Sequence, residues 1–389
     1  MTAATSSVPV TLTLPPLGLY VHIPWCTKKC PYCDFNSHVS RDEIPEKAYV
    51  EALIEDLNQQ LDWVQGRKLS SIFFGGGTPS LFSGAAINHI IEAAEHLVGF
   101  CDLIEITLEA NPGSVEQKRF NDYREAGVNR LSLGVQSFDS RHLERLGRVH
   151  DGQQAERSIQ AAATANFKRV NIDLMHGLEQ QTATQSMQDL RIAIDAGVEH
   201  ISWYQLTIEA NTAFYNQPPP LPSEDRLADI QAMGLSVLAE HGFQQYEVSA
   251  FAKGNQKALH NLNYWEFGDY IGIGAGAHGK ITLATEQTIV RSQKTRQPNN
   301  YLAPKQLFEN RQKVIPLVDR PVEFMMNALR LKKGVPLEYF SSRTGLDNSN
   351  IAQSLKRLRS QGLLVSDPKR IAASPLGYQF LNTLLQGFG

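Results

Sequence analysis

From residue 18 onward, short apolar runs alternate with longer stretches in which apolar residues recur three and four apart, and each run stops at Gly, Pro, Asn or another polar residue. The runs predict strands at 18–24, 70–76, 103–110, 129–135, 169–177 and 200–207. The longer stretches, EKAYVEALIEDLNQQL first among them, each gather their apolar residues on one face and predict helices. Strands joined by right-handed helical crossovers lie parallel to one another. The rhythm therefore predicts an α/β fold over residues 18–245, a partial (β/α)6 TIM-like barrel, with an open doubly wound sheet as the competing arrangement. The barrel is preferred because polar and unusual residues recur at the C-terminal ends of the strands, the rim on which such barrels carry their chemistry.

A Pro-rich break, NQPPPLPSED at 216–225, ends the rhythm, and the helix RLADIQAMGLSVLAEHG follows it. Residues 246–315 read as a connecting region, whose Gly-rich passage YIGIGAGAHG predicts tight turns around a short strand. From Arg320 the pattern changes to three short amphipathic helices with Gly near their ends, then a small hairpin built from LLVSD and RIAASP. This is a winged-helix-like α+β pattern, assigned to residues 316–389. Residues 1–17 read as a flexible N-terminal segment.

Composition removes several classes of partner. A formal charge of -3 on 389 residues gives no basic excess, and Lys356, Arg357 and Arg359 on the third C-terminal helix read as a solvated face, so no nucleic-acid partner is expected. The first twenty residues lack the charged start and apolar core of a secretory signal, and no run of eighteen apolar residues occurs, so the protein is expected to be soluble and cytoplasmic. A chain of this length buries about three quarters of its unfolded surface and needs no cross-link. Three of its four cysteines crowd into eight residues, a layout that suits a metal better than disulfides. The fourth, Cys101, is expected to be a buried thiol packed as a small hydrophobe.

The crowded cysteines form Cys26-Thr-Lys-Lys-Cys30-Pro-Tyr-Cys33, just after the first predicted strand. Three thiolates at this spacing can wrap one corner of a cubane iron–sulfur cluster and leave its fourth iron open to a small molecule. Structural zinc is the alternative. It would need a fourth ligand such as His22 or His38.

Other rim residues follow the strands in order. Gly75-Gly76-Gly77-Thr78-Pro79-Ser80 ends the second strand, where backbone without side chains can approach a ligand closely. Glu109 closes the third strand, and a carboxylate buried there needs a cation or a metal-bound ligand as partner. Gln136, Arg148 and Asp173 stand at or beyond the ends of later strands, where capping is the plain alternative to ligand contact.

A cysteine triad of this spacing after the first strand of a β/α barrel resembles the signature of the radical S-adenosylmethionine (SAM) superfamily. The resemblance implies a 4Fe–4S cluster held by Cys26, Cys30 and Cys33, with SAM chelating the open iron and broken by an electron from the cluster. From Tyr20 through HIPWCTKKCPYCDFNS to the winged helix, the chain resembles the oxygen-independent coproporphyrinogen III oxidase family. That likeness implies SAM contacts at Tyr20, Gly76, Gly77, Thr78, Glu109, Gln136, Arg148 and Asp173, the last three for the carboxylate and ribose hydroxyls.

Two departures point to the haem-chaperone branch of that family. The oxidases carry a further cysteine where this chain has Phe35, and they carry an N-terminal extension that nineteen residues before Tyr20 cannot supply. His260-Asn261-Leu262-Asn263-Tyr264-Trp265 fits the H-N-x-x-Y-W motif associated with the branch, pairing an imidazole able to ligate iron with aromatic faces able to lie along a porphyrin. Its alternative is a buried turn. The branch implies haem contacts at His260, Asn261, Tyr264 and Trp265, with Tyr264 or His278 as alternative axial ligands. It also implies haem delivery to haemoproteins such as respiratory cytochromes or bacterioferritin, an electron donor for the cluster, a homodimer, and contact with membranes only through acceptors. The competing activity is anaerobic oxidative decarboxylation of coproporphyrinogen III to protoporphyrinogen IX.

Overall fold

The computed structural model describes residues 10–40, 42–303 and 308–389. Each predicted strand forms: β1 (Leu17–Ile23), β2 (Leu69–Gly76), β3 (Phe100–Ala110), β4 (Arg130–Gln136), β5 (Val170–His176) and β6 (His200–Gln205). They lie side by side in chain order, all parallel. The crossovers are α1 (Glu46–Asn58), α2 (Gly84–Leu97), α3 (Ser114–Glu125), α4 (Gly152–Thr164) and α5 (Ala183–Asp195), and α6 (Glu224–Glu240) follows β6. Capping boxes at Asp151 and Thr182 start α4 and α5 by satisfying the amides that a first turn leaves free.

Alternation along the strands sorts the two faces. Leu19, Ile72, Ile106, Leu131, Ile172 and Ile201 join the helices in one large core cluster. Their neighbours Tyr20, Phe73, Thr107, Arg130, Asn171 and His200 are left to the other, inward face. One cavity touches Cys26 beyond β1, Gly76, Glu109, Gln136, Asp173 and Tyr204. A flat sheet would spread six strand ends over about 24 Å. Convergence on a single cavity requires the sheet to curl, as the partial barrel predicted.

The sheet does not stop at β6. At that edge β7 (Gln244–Glu247) and β8 (Ala250–Ala252) add antiparallel strands. The motif segment forms the short helix α7 (Leu259–Trp265). At the opposite edge β9 (Asp269–Ile273) lies parallel to β1, and β10 (His278–Leu283), β11 (Thr288–Lys294) and β12 (Glu309–Val314) continue as an antiparallel meander. The passage expected to be tight turns around a short strand holds its turn at 274–277 between the strands β9 and β10, and residues 246–315 extend the barrel sheet at both edges. Gly272 explains why glycines stand in a strand: a Cβ there would lie 2.0 Å from the His278 carbonyl oxygen. Wholly buried Asp269 pins β9, accepting from Arg67 at 2.7 Å, Lys280 at 2.8 Å and the Thr282 amide at 2.8 Å.

Cys101 corrects an expectation: its thiol is exposed. Between β2 and β3 the register jumps from Leu69–Phe100 to Ser71–Glu105, so Cys101, Asp102 and Leu103 bulge away from the sheet and from the core.

The C-terminal helices form as α8 (Arg320–Ala328), α9 (Leu337–Thr344) and α10 (Ser349–Ser360), around a second core that includes Phe324, Phe340, Ile351 and Leu355. The expected hairpin shrinks to one bridge, Leu364 to Ala373, because Arg370–Ile371 pairs with Val335–Pro336 instead. Arg357 donates to the Gly387 carbonyl, and Arg359 to those of Val365, Asp367 and Arg370. Residues 1–9 of the N-terminal segment lie outside the described residues. The rest of it is tied down: Leu12 joins the second core and the Thr13 amide donates to Ser342 at 2.9 Å. Among the described residues, no helix is long and apolar enough to cross a membrane.

Candidate cofactor site

The cysteine loop leaves the end of β1 and is closed at its base, where Trp25–Cys26 and His38–Val39 pair in parallel. Inside it, Lys29 Nζ donates to the Phe35 and Ser37 carbonyls at 3.3 Å each, and the Cys33 amide donates to Cys30 at 3.1 Å. Cys26, Cys30 and Cys33 all face one cavity of about 310 Å³. Among the described residues, no three His, Cys, Asp or Glu side chains gather around a point as a single ion needs. His22, a fourth ligand that zinc would call on, has both ring nitrogens engaged, with Tyr20 Oη at 3.0 Å and the Asn36 carbonyl at 2.9 Å. His38 lines a neighbouring groove. Three thiols spread around a shared space, with no cluster of donors for a single ion among the described residues, fit a multi-iron cluster better than zinc.

The glycine run lines the same cavity, packed against the base of this loop. Its glycines are needed on the side away from the ligand. A Cβ on Gly76, whose φ is +118°, would come within 2.7 Å of the His22 ring, and one on Gly77 within 2.4 Å of the Trp25 carbonyl oxygen. The Gly77 amide donates to Ile23 at 2.8 Å and the Thr78 amide to Trp25 at 2.7 Å, which locks the rim to the first residues of the cysteine loop.

Glu109 and Asp173 carry the charge of the site. Burial, then the neighbouring Asp173 charge, pushes the Glu109 carboxyl up to about 8, against the pull of the Gly76 amide 3.3 Å away. Burial also raises Asp173, while hydrogen bonds from Asn171 and Ser132 pull it down. Glu109 meets a backbone amide where a buried carboxylate needs a cation. A ligand bearing an ammonium and a sulfonium supplies that cation, so the donor set fits SAM.

On the far wall, Arg148 Nη2 donates to Asn111 Oδ1 and to the Gly134 carbonyl, each at 2.6 Å, and Nη1 lies 3.6 Å from Cys30 Sγ. Asn111 Nδ2 donates in turn to Thr78 Oγ1 at 3.1 Å. Gln136 accepts from Tyr204 Oη at 2.6 Å. It keeps the inward parity of Ser132 and Gly134, although the register shifts just before it and its φ is +70°. Asn111, Tyr204, Tyr32 and Ser132 line the cavity as well and were missed in the sequence. Parity from His200 marks Tyr204 as inward, and Asn111 directly follows β3, so both carried a signal.

Tyr20 stands one layer behind the rim: a Cβ on Gly75 would meet both its ring, at 3.1 Å, and Glu109 Oε2, at 3.2 Å. Beneath it lies α7, at the N-terminal mouth of the barrel. His260 Nδ1 is 3.0 Å from the hydroxyl of Ser71, near the start of β2, whereas Gly76 at the end of β2 is on the rim. The His260 ring is 2% exposed, stacks on Phe73 at 4.8 Å and meets Tyr264 edge-on at 4.7 Å. Burial lowers its pKa to about 3, so it is neutral, and its Nε2 has no partner among the described residues. Trp265 packs on the second core with the Arg330 guanidinium 4.3 Å over its ring, and Asn261 is half-buried. The structure therefore brings together the cysteines and the rim residues. It leaves His260, Asn261, Tyr264 and Trp265 as a plug at the other end, and exposed His278 outside the cavity.

Residues 20–190 match the radical SAM superfamily, and residues 315–380 match the HemN C-terminal domain. Over 379 residues the chain is 48% identical to a protein named heme chaperone HemW from Haemophilus influenzae, covering 96% of this chain and 98% of that one. The protein of the same name from Escherichia coli is 47% identical over 375 residues, with the same shares covered. Among solved structures, the coproporphyrinogen III oxidase HemN of E. coli, a radical SAM enzyme, aligns with a TM-score of 0.80 over 96% of this chain and 90% of that chain. At 23% identity that likeness shows the fold.

Proposed function

We propose, from the premise that this chain belongs to the haem-chaperone HemW family of the radical SAM superfamily, that it binds haem and passes it to haem-accepting proteins. The observation that carries this reading is the 48% identity to a protein of that name along almost the whole of both chains. A 4Fe–4S cluster and SAM come with the superfamily; together they supply one-electron chemistry at an open iron.

Cys26, Cys30 and Cys33 are the residues to hold the cluster. Gly76, Gly77, Thr78 and Glu109 are the cradle for the amino end of SAM. Arg148 takes the carboxylate, and Gln136 and Asp173 take the ribose hydroxyls. Tyr20 supports Glu109 from behind Gly75. Haem contact by His260, Asn261, Tyr264 and Trp265 requires α7 to swing away from the barrel floor, which frees Nε2 of His260 for iron. The acceptors in this reading are haemoproteins such as respiratory cytochromes or bacterioferritin, met in the cytoplasm or at the membrane surface they occupy. An electron donor serves the cluster, and two copies pair when the cluster is present.

The test uses protein reconstituted without oxygen. Stoichiometric haem binding, followed by transfer to an apo-haemoprotein, supports the reading. Repeated conversion of coproporphyrinogen III to protoporphyrinogen IX with SAM and reductant rejects it in favour of the oxidase.

A further inference from the structure

Below the rim, an unbroken line of hydrogen bonds runs down the inner face of the barrel from Asp173. Asn171 Nδ2 donates to Asp173 Oδ1 at 2.7 Å and to Ser132 Oγ at 2.8 Å, and Ser132 Oγ donates to Asp173 Oδ2 at 3.1 Å. Both amide hydrogens of Asn171 are thereby used, so its oxygen must face the other way. There it accepts from Ser202 Oγ at 3.0 Å and from His200 Nδ1 at 2.5 Å. His200 Nε2 lies 2.8 Å from Tyr246 Oη, which accepts from the Ala258 amide at 3.3 Å.

The donors fix every orientation along this line. Tyr246 takes a hydrogen from Ala258 and so gives its own to Nε2, which leaves the His200 proton on Nδ1, where Asn171 Oδ1 needs a donor. His200 is 2% exposed, and its burial, with the Arg130 and Arg169 guanidinium groups facing it and Glu105 between them, keeps the ring neutral. We infer that Asn171, His200 and Tyr246 are positioning residues of the cofactor pocket, which fix the carboxylate of Asp173 as an acceptor aimed at bound SAM. This rests on the reading that Asp173 contacts SAM. If Tyr246 loses its hydroxyl, the His200 proton is free to move to Nε2; two acceptors then face each other at Asn171, the amide turns over, and Asp173 loses a donor.

The groups facing Asp173 from neighbouring strands and loops are Glu109, Arg148, Arg130, Ser132, Ser202 and Tyr204. All of them remain in the variants that test the idea. Calorimetric SAM titrations over pH 6–8.5, on protein reconstituted without oxygen, compare wild type with His200→Ala, His200→Gln, Tyr246→Phe and Asp173→Asn. We expect affinity to fall about tenfold in His200→Ala and about threefold in Tyr246→Phe, as loss of one to two buried hydrogen bonds implies. Both variants should lose affinity on acidification at a higher pH than wild type, because Asp173 without its amide donor protonates sooner. His200→Gln, which keeps one donor and one acceptor, should recover most of the affinity. Wild-type affinity and pH profile in Tyr246→Phe and His200→Ala, beside a weakened Asp173→Asn, overturns the inference alone. Unchanged affinity in Asp173→Asn overturns the reading beneath it, and the inference with it. Should His200→Ala fold poorly by circular dichroism and iron content, Tyr246→Phe decides the matter.

Discussion

Arg148 Nη2 and Asn111 Oδ1 are 2.6 Å apart, and this bond ties two neighbouring loops of the cofactor rim together. Asn111 belongs to the loop after β3, Arg148 to the loop after β4, and Thr78 beyond β2 completes the chain. The guanidinium is held in place before any ligand carboxylate arrives, so its ordering is not charged against binding.

Asn111→Ala should therefore weaken SAM binding while leaving the cluster in place. A charge-assisted hydrogen bond contributes about 1.5–3 kcal/mol, so the expected loss is tenfold or more in Kd. Arg148→Lys should lose more, since an ammonium cannot reach Asn111, Gly134 and a ligand carboxylate at once. Calorimetric titration, with iron counted per chain, separates affinity from cluster loss.

Glu109 predicts a proton count. With its carboxyl raised to about 8, it is mostly protonated at pH 7 in the empty pocket, and a cationic ligand ionises it. SAM binding at pH 7 should release close to one proton, seen as a binding enthalpy that varies with the ionisation enthalpy of the buffer. In Glu109→Gln that variation should vanish. The same group acts on stability with a definite sign: between the ordinary carboxylate range and about pH 8 the folded chain binds more protons than the unfolded one, so this group's contribution falls as pH rises through that window. Glu109→Gln should gain stability relative to wild type at pH 8.5 and not at pH 4, measured by urea unfolding.

Gly77→Ala tests the rim from behind. Its Cβ would strike backbone at Trp25, one residue before Cys26, and backbone cannot swing aside as a side chain does. Cluster content after reconstitution should fall several-fold. Normal iron and sulfide per chain would show that the loop does not depend on this contact.

His260→Ala is expected to cost stability whether or not haem is present. Removing a buried ring that bonds Ser71 and stacks on Phe73 leaves a cavity and a stranded hydroxyl, for about 2–4 kcal/mol in denaturant unfolding. His260→Gln, with an amide for Ser71, should cost less. Haem titration of the two variants then distinguishes ligation from mere loosening of the floor.

Asp269→Asn strips the counter-charge from wholly buried Lys280 and from Arg67, and breaking such a pair from one side costs about 3–5 kcal/mol. Because Asp269 opens β9, the loss should appear as earlier hydrogen exchange in β9 and β10 than in β3 to β5.

Period was the strongest signal in the sequence, and it located what depends on period. The parallel strands were legible because Leu19, Ile72 and Leu131 sit in apolar runs bounded by polar stops, and Glu109 and Asp173 were legible because a carboxylate inside such a run has no ordinary reason to be there. β9 was hidden because Gly272 reads as a turn residue like Gly274 after it, which is one, while the close approach of β10 that demands Gly272 is a tertiary fact. Cys101 was misread because a register jump between strands leaves no mark on one strand's own pattern. The H-N-x-x-Y-W segment was visible as a motif, but its place at the lower mouth depends on how α7 docks on Ser71 and Glu105, far away in the chain.

With α7 stoppering its lower end, the barrel has a door on the side of the cysteine loop. Exposed Lys28, Lys29 and Phe35 frame that door, and the thiols stand just inside it, while Glu109 and Asp173 lie deeper. The thiols and the two carboxylates thus share one space, so a molecule held by either group is a neighbour of whatever the other holds.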